Sequence, residues 1–214
     1  MLPVKKKITE LLEKQSYQEL SDINSSHYKL VNVLISLSYN KDTDLSWRAI
    51  EAIGVVSKQI SESDPETVRN IVGRLLWMLR DESGGIGWSA PEMLGEIVKH
   101  NPELCADIAP IILSFHYEHM LTAGTLRATG RIGKINEEMI DYAIPIILPY
   151  LKSADNSTRG YAVYALGELG AIGAKSRLEG LTDDNGKLLF YEEGSLKEVS
   201  VGELASRALT RLEA

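Results

Sequence analysis

The chain is poor in the residues that staple or thread a protein. Its single cysteine, Cys105, cannot close an internal disulfide, and its place in an apolar helical stretch makes a core role the default. Aromatic residues make up only 7% of the chain, and much of the apolar content is Ala, Leu and Ile, which suits close helix packing rather than a β-sandwich. Cations are outnumbered: 23 Lys and Arg face 30 Asp and Glu, for a formal charge of −7. That balance offers the phosphate backbone no counterion-releasing surface, so nucleic acid is not an expected partner. No stretch has the order of a signal peptide, and apolar runs such as residues 144–151 fall far short of the ~18 residues that span a bilayer. The expectation is a soluble cytoplasmic protein with no membrane partner.

What the chain has is repetition. Ala49-x-x-Ala52-Ile53-Gly54 recurs as Ala90-x-x-Met93-Leu94-Gly95, Ala128-x-x-Arg131-Ile132-Gly133 and Ala162-x-x-Ala165-Leu166-Gly167, with a weaker copy at Ala205-x-x-Ala208-Leu209-Thr210. Successive copies lie 41, 38, 34 and 43 residues apart. A period of that size marks stacked helix pairs, each unable to bury its apolar face alone. One continuous body over 1–214 is expected: an N-terminal cap and first helix over 1–40, helical repeats over 41–172, and a C-terminal cap over 173–214.

Each copy sits on the second helix of a pair. Residues 45, 49, 52, 53 and 56 and their equivalents recur as apolar or small at spacings of three and four, so they share one buried face. The Gly at 54, 95, 133 and 167 predicts close approach of a neighbouring helix, because a helical Gly costs ~1 kcal/mol against Ala. Asp64-Pro65, Asn101-Pro102 and Asn136-Glu137 each predict a helix start with a capping side chain. Pro110 and Pro145, nine residues past their caps, predict kinked but continuous helices. Toward the end, two β-prone runs within residues 187–199 around a Gly-containing turn predict a hairpin, followed by a last helix over 201–212.

Helix pairs with Pro in the first helix and Ala-x-x-Ala-Leu-Gly in the second resemble HEAT repeats, which are armadillo-like in build. Residues 158–170, TRGYAVYALGELG, are similar to the HEAT-like subtype named after phycobilisome lyases. The resemblance covers residues 27–212. It implies an all-α fold, a right-handed α-α superhelix, here with a short β-hairpin near the C-terminus. For function it implies an interaction scaffold first; members of the fold also serve as bilin lyases, DNA-alkylation glycosylases and a di-iron hydroxylase. The hydroxylase carries repeated His-Glu pairs, whereas His27, His100, His116 and His119 are followed by Tyr, Asn, Tyr and Met. No cofactor and no metal site is therefore expected.

Packing the apolar columns inward turns residues 47, 48 and 51 and their equivalents outward, toward the concave side of a HEAT-like array. Those columns supply Trp47, Arg48, Glu51, Trp88, Glu92, Arg127, Tyr161 and Tyr164. Trp, Tyr and Arg dominate binding hot spots, so this set is the candidate partner-binding face for a protein or peptide. The competing reading packs both Trp rings on neighbouring helices. Two further motifs carry less. Residues 83–87, SGGIG, lack the Lys-Ser/Thr of a phosphate loop, and His116 and His119, three apart, lack a third ligand of matching spacing. No nucleophile, base and orienting group assemble from the spacing, so no catalytic residue is assigned. The principal expectation is a noncatalytic scaffold holding a protein segment. The alternative is a ligand-binding protein or enzyme of the lyase or glycosylase kind, with Glu92 beside Trp88 as its acid.

Overall fold

The structure, a computed structural model, describes residues 2–80 and 88–213. The glycine-rich residues 83–87 lie outside the described residues. Contacts divide the chain into two compact units, 2–105 with 191–196 and 106–190 with 197–213.

In the first unit, α1 (Leu2–Glu13) is followed by a 3₁₀ turn at Tyr17–Leu20 and by α2 (His27–Leu37), α3 (Asp44–Ser61), α4 (Pro65–Arg80), α5 (Ala90–His100) and the single turn α6 (Pro102–Cys105). The starts are set by side-chain caps: Ser26 Oγ accepts the Lys29 N–H, Thr43 Oγ1 that of Ser46, and Asp64 Oδ1 that of Thr67 at 3.0 Å. Pro65 then occupies the first helical position, where its missing N–H has no partner to lose. Helix α3 is central, packing against α1, α2, α4 and α5. Ala49, Ala52, Ile53 and Val56 are buried along it as the columns predict. Gly54 is there for proximity: a Cβ on it would stand 2.9 Å from the Glu96 carbonyl oxygen of α5. Asn101 differs from its predicted role. Its amide donates backward to the Ile97 carbonyl at 3.0 Å and to Ser57 Oγ at 2.9 Å, closing α5 and tying it to α3. The open carbonyls of a helix end claimed the side chain before the next helix could.

The second unit holds α7 (Ala109–Leu113), α8 (Thr122–Ile132), α9 (Glu137–Ile147), α10 (Asn156–Glu168), α11 (Lys175–Glu179), α12 (Val201–Glu213) and the greater part of the strands β1 (Lys187–Glu192) and β2 (Ser195–Ser200), whose ends at 191–196 belong to the first unit. Helix α10 is its centre, packed on α8, α9 and α12. Asn136 and Asp155 cap α9 and α10 through 2.7 Å bonds to the Met139 and Thr158 amides. Pro145 lies inside a continuous α9, as expected. Pro110 does not: a 3₁₀ turn at Ala106–Ile108 precedes it and α7 begins afresh, so the helix is interrupted rather than kinked. Gly167 packs close, since a Cβ on it would stand 2.7 Å from that of Ala208. Gly133 has another reason, a φ of +66° that ends α8 in a conformation L side chains avoid.

The two strands pair as the predicted hairpin. Its turn is Glu193-Gly194, at φ 50° and 78°, the positive pair that matches the twist of a two-residue hairpin loop. The loop before β1 is anchored by Arg159, whose Nε and Nη2 grip Asp184 Oδ2 at 2.7 Å and Oδ1 at 3.1 Å. That fork holds the Asp184 carboxyl below its ordinary range. Among the described residues no helix is long and apolar enough to cross a membrane.

Candidate functional site

Most of the outward columns are covered, Trp88 being the exception. Trp47, on the first turn of α3, is 4% exposed. Its indole N–H donates to the Lys41 carbonyl at 2.7 Å, and its ring lies nearly parallel to that of Tyr191, with centroids 5.7 Å apart. Beside it, Glu51 Oε2 accepts two phenolic hydroxyls, from Tyr191 at 2.8 Å and Tyr17 at 3.1 Å. Both phenols are pushed well above the ordinary tyrosine range, first by burial and further by the neighbouring Glu51 charge. Arg48 completes the cradle. Its Nε donates to the Gly194 carbonyl at 2.8 Å and its Nη1 to that of Glu13 at 3.2 Å, while Asp44 Oδ1 receives the Leu196 N–H at 2.7 Å.

Within the first unit, then, the face built from Trp47, Arg48 and Glu51 is occupied by residues 191–196, the turn and flanking strand ends that form the tip of the hairpin. It is gripped through one ring, one hydroxyl, one carbonyl and one amide.

Trp88 and Glu92 of the same unit stand apart from that grip. Trp88 is 46% exposed, just ahead of α5. Glu92 is buried in the first turn of α5, with Lys41 Nζ 2.9 Å from its Oε1. The same ammonium donates to the Trp88 carbonyl at 3.0 Å, and among the described residues Glu92 Oε2 accepts no hydrogen bond. The acid required by the glycosylase-like alternative is thus paired with a lysine and shielded from solvent.

In the second unit Arg127 and Tyr161 are buried and Tyr164 half-buried. They meet at Phe190 of β1. The Arg127 guanidinium lies 5.3 Å from its ring centroid, the Tyr161 ring 5.9 Å and the Tyr164 ring 5.2 Å, edge-on. Tyr161 Oη donates to the Leu189 carbonyl at 3.1 Å. Here too the predicted residues grip an extended stretch of the chain itself.

Sequence reasoning placed these eight residues outward and missed what covers six of them, all but Trp88 and Glu92: Tyr17, Phe190, Tyr191 and Gly194. A signal was present. Phe190 and Tyr191 are adjacent aromatics in a chain with two Phe, and a two-stranded hairpin carrying Leu188, Phe190 and Tyr191 needs a surface to bury them. The other motif resolves simply: His116 Nδ1 pairs with Tyr150 Oη at 2.8 Å, and His119 is exposed. Among the described residues no three His, Cys, Asp or Glu side chains group as a metal site would require.

The same helix pairs recur in both units: α2 with α3, α4 with α5, α7 with α8, α9 with α10, and α11 with α12. An engineered protein of known structure aligns over 100% of this chain and 97% of its own, at TM-score 0.55 and 18% identity, a likeness of fold alone. The chain has a HEAT/armadillo-like helical-repeat fold. A designed armadillo repeat protein aligns over 96% of this chain and 98% of its own at TM-score 0.49 and 18% identity. An uncharacterized protein of Archaeoglobus fulgidus is 38% identical over 71 residues, 33% of this chain; the match spans about a third, 36%, of that relative's length. No family model matches.

Proposed function

We propose that this protein is a noncatalytic interaction scaffold. Its partner is a protein segment held on the face that carries Trp47, Arg48 and Glu51, with Trp88 and Glu92 at its margin; within the second unit, Arg127, Tyr161 and Tyr164 form a partner-binding face of their own. A repeat fold supports an interaction role in general. The observation that carries the finer reading is the grip on residues 191–196. A face that stacks a ring, takes a hydroxyl on a carboxylate, and meets a backbone carbonyl with a guanidinium has the donors and acceptors that bind a peptide segment.

Selection of displayed random peptides against the full chain tests this. The selected peptides lose about tenfold or more in affinity on Arg48→Ala and on Glu51→Ala, each ~1.4 kcal/mol or more of binding. Peptides that bind these variants and the parent alike place the partner elsewhere and contradict the reading.

A further inference from the structure

The hairpin tip occupies the face assigned above to the partner, and this inference rests on that assignment. The geometry points to residues 191–196 as a built-in competitor: the tip is a surrogate ligand, and the partner it stands in for is a segment that presents a tyrosine followed by a tight turn.

Three features of the tip carry this. First, its contacts to α3 are those of a bound peptide rather than of a hydrophobic cap. Only Tyr191 inserts a ring, whereas Gly194 and Leu196 bind through backbone atoms, to Arg48 at 2.8 Å and Asp44 at 2.7 Å. Backbone recognition of that kind depends on the path of the chain and not on its side chains. Second, Tyr191 makes a specific side-chain contact. Tyr191 stacks on Trp47 and reaches Glu51 with its hydroxyl at 2.8 Å, so the pocket reads a phenol and not merely an aromatic ring. Third, the pocket keeps a stand-in when the tip leaves. Tyr17, from the 3₁₀ turn after α1, already donates to Glu51 Oε2 at 3.1 Å, so the carboxylate retains a partner on release and the open state is not left with a bare buried charge. A face whose occupant is tethered binds an outside segment with an apparent affinity reduced by the fraction of molecules in which the tip has lifted. Loosening the tip therefore tightens the partner.

The test uses the full chain and a fluorescein-labelled peptide of residues 189–197, LFYEEGSLK, followed by anisotropy. Tyr191→Phe removes only the hydroxyl and keeps the ring, so it opens the tip without leaving a hole. Tyr191→Ala opens it further. The expected order of affinity is parent, then Tyr191→Phe about tenfold tighter, then Tyr191→Ala tighter again. Trp47→Phe in the Tyr191→Phe background weakens the gain, and a peptide with Ala in place of its tyrosine does not bind. Thermal melts accompany each variant; should Tyr191→Ala lose its cooperative transition, the comparison of Tyr191→Phe with the parent decides alone. Equal binding by parent and Tyr191→Phe overturns the competitor, as does absence of binding to every folded variant. Neither result touches the proposed partner face, which fails only if selected peptides ignore Arg48 and Glu51.

Discussion

Glu51 accepts two phenolic hydroxyls through a single oxygen, and that sharing makes a pH prediction at the scale of one residue. Burial, aided by the Glu51 charge, raises both Tyr17 and Tyr191 above the value of about 10 they have when unfolded. A raised folded value means that the protonated phenols favour the folded state. Their contribution is complete below pH ~10 and is lost as pH climbs past it, because the unfolded chain then releases protons the folded one retains. Urea unfolding between pH 9 and 11.5 should show stability falling more steeply in the parent than in the Tyr17→Phe, Tyr191→Phe double variant; parallel curves would contradict it. The two tryptophans separate in the same way. Trp47→Ala removes a buried ring and is expected to cost ~3–5 kcal/mol. Trp88→Ala, at a site 46% exposed, is expected to cost about 1–2 kcal/mol. Equal losses in denaturant titration would contradict the assignment. Sequence spacing alone marks both as outward and cannot tell them apart, since what buries Trp47 lies about 140 residues further along the chain.

At the scale of elements, most boundaries are legible because their causes are local. Ser26, Thr43, Asp64, Asn136 and Asp155 each cap the helix that follows, using an oxygen within three residues of the amide it receives. The Glu193-Gly194 turn is legible for the same reason. Asn101 and Pro110 are not, because each sits where two neighbouring helices compete for one residue. The repeated glycine divides likewise. Gly54 and Gly167 meet a neighbouring helix, but Gly133 ends its own. Gly167→Ala gains ~1 kcal/mol of helix propensity. It also drives a methyl to 2.7 Å from the Ala208 Cβ on α12, an overpacking worth about 1–3 kcal/mol. The clash wins, and the expected outcome is a lower melting temperature. A rise would mean that α10 and α12 part easily.

At the scale of the molecule, the repeat is the most legible feature. Five copies of one small-residue pattern fall on α3, α5, α8, α10 and α12, the second helix of every pair. Periodicity reads which side of those helices packs inward: Ala49, Ala52, Met93, Leu94, Ala162 and Ala165 are buried, though Leu45, Arg131, Ile132 and Leu209 of the same columns stay half-exposed. It cannot read the opposite side, whose environment is supplied by a hairpin with no counterpart in the repeat. The candidate face was therefore legible in its residues and illegible in its occupant. The central claim is that the partner binds where the tip sits. The chain's three tryptophans, Trp47, Trp77 and Trp88, report on it through their indole N–H resonances in a ¹⁵N-labelled sample. Trp47 is buried against Tyr191 of the tip, whereas Trp77, on α4, is exposed. Adding a selected peptide should shift the Trp47 resonance and leave that of Trp77 in place. A shift at Trp77 with Trp47 unmoved would contradict the account.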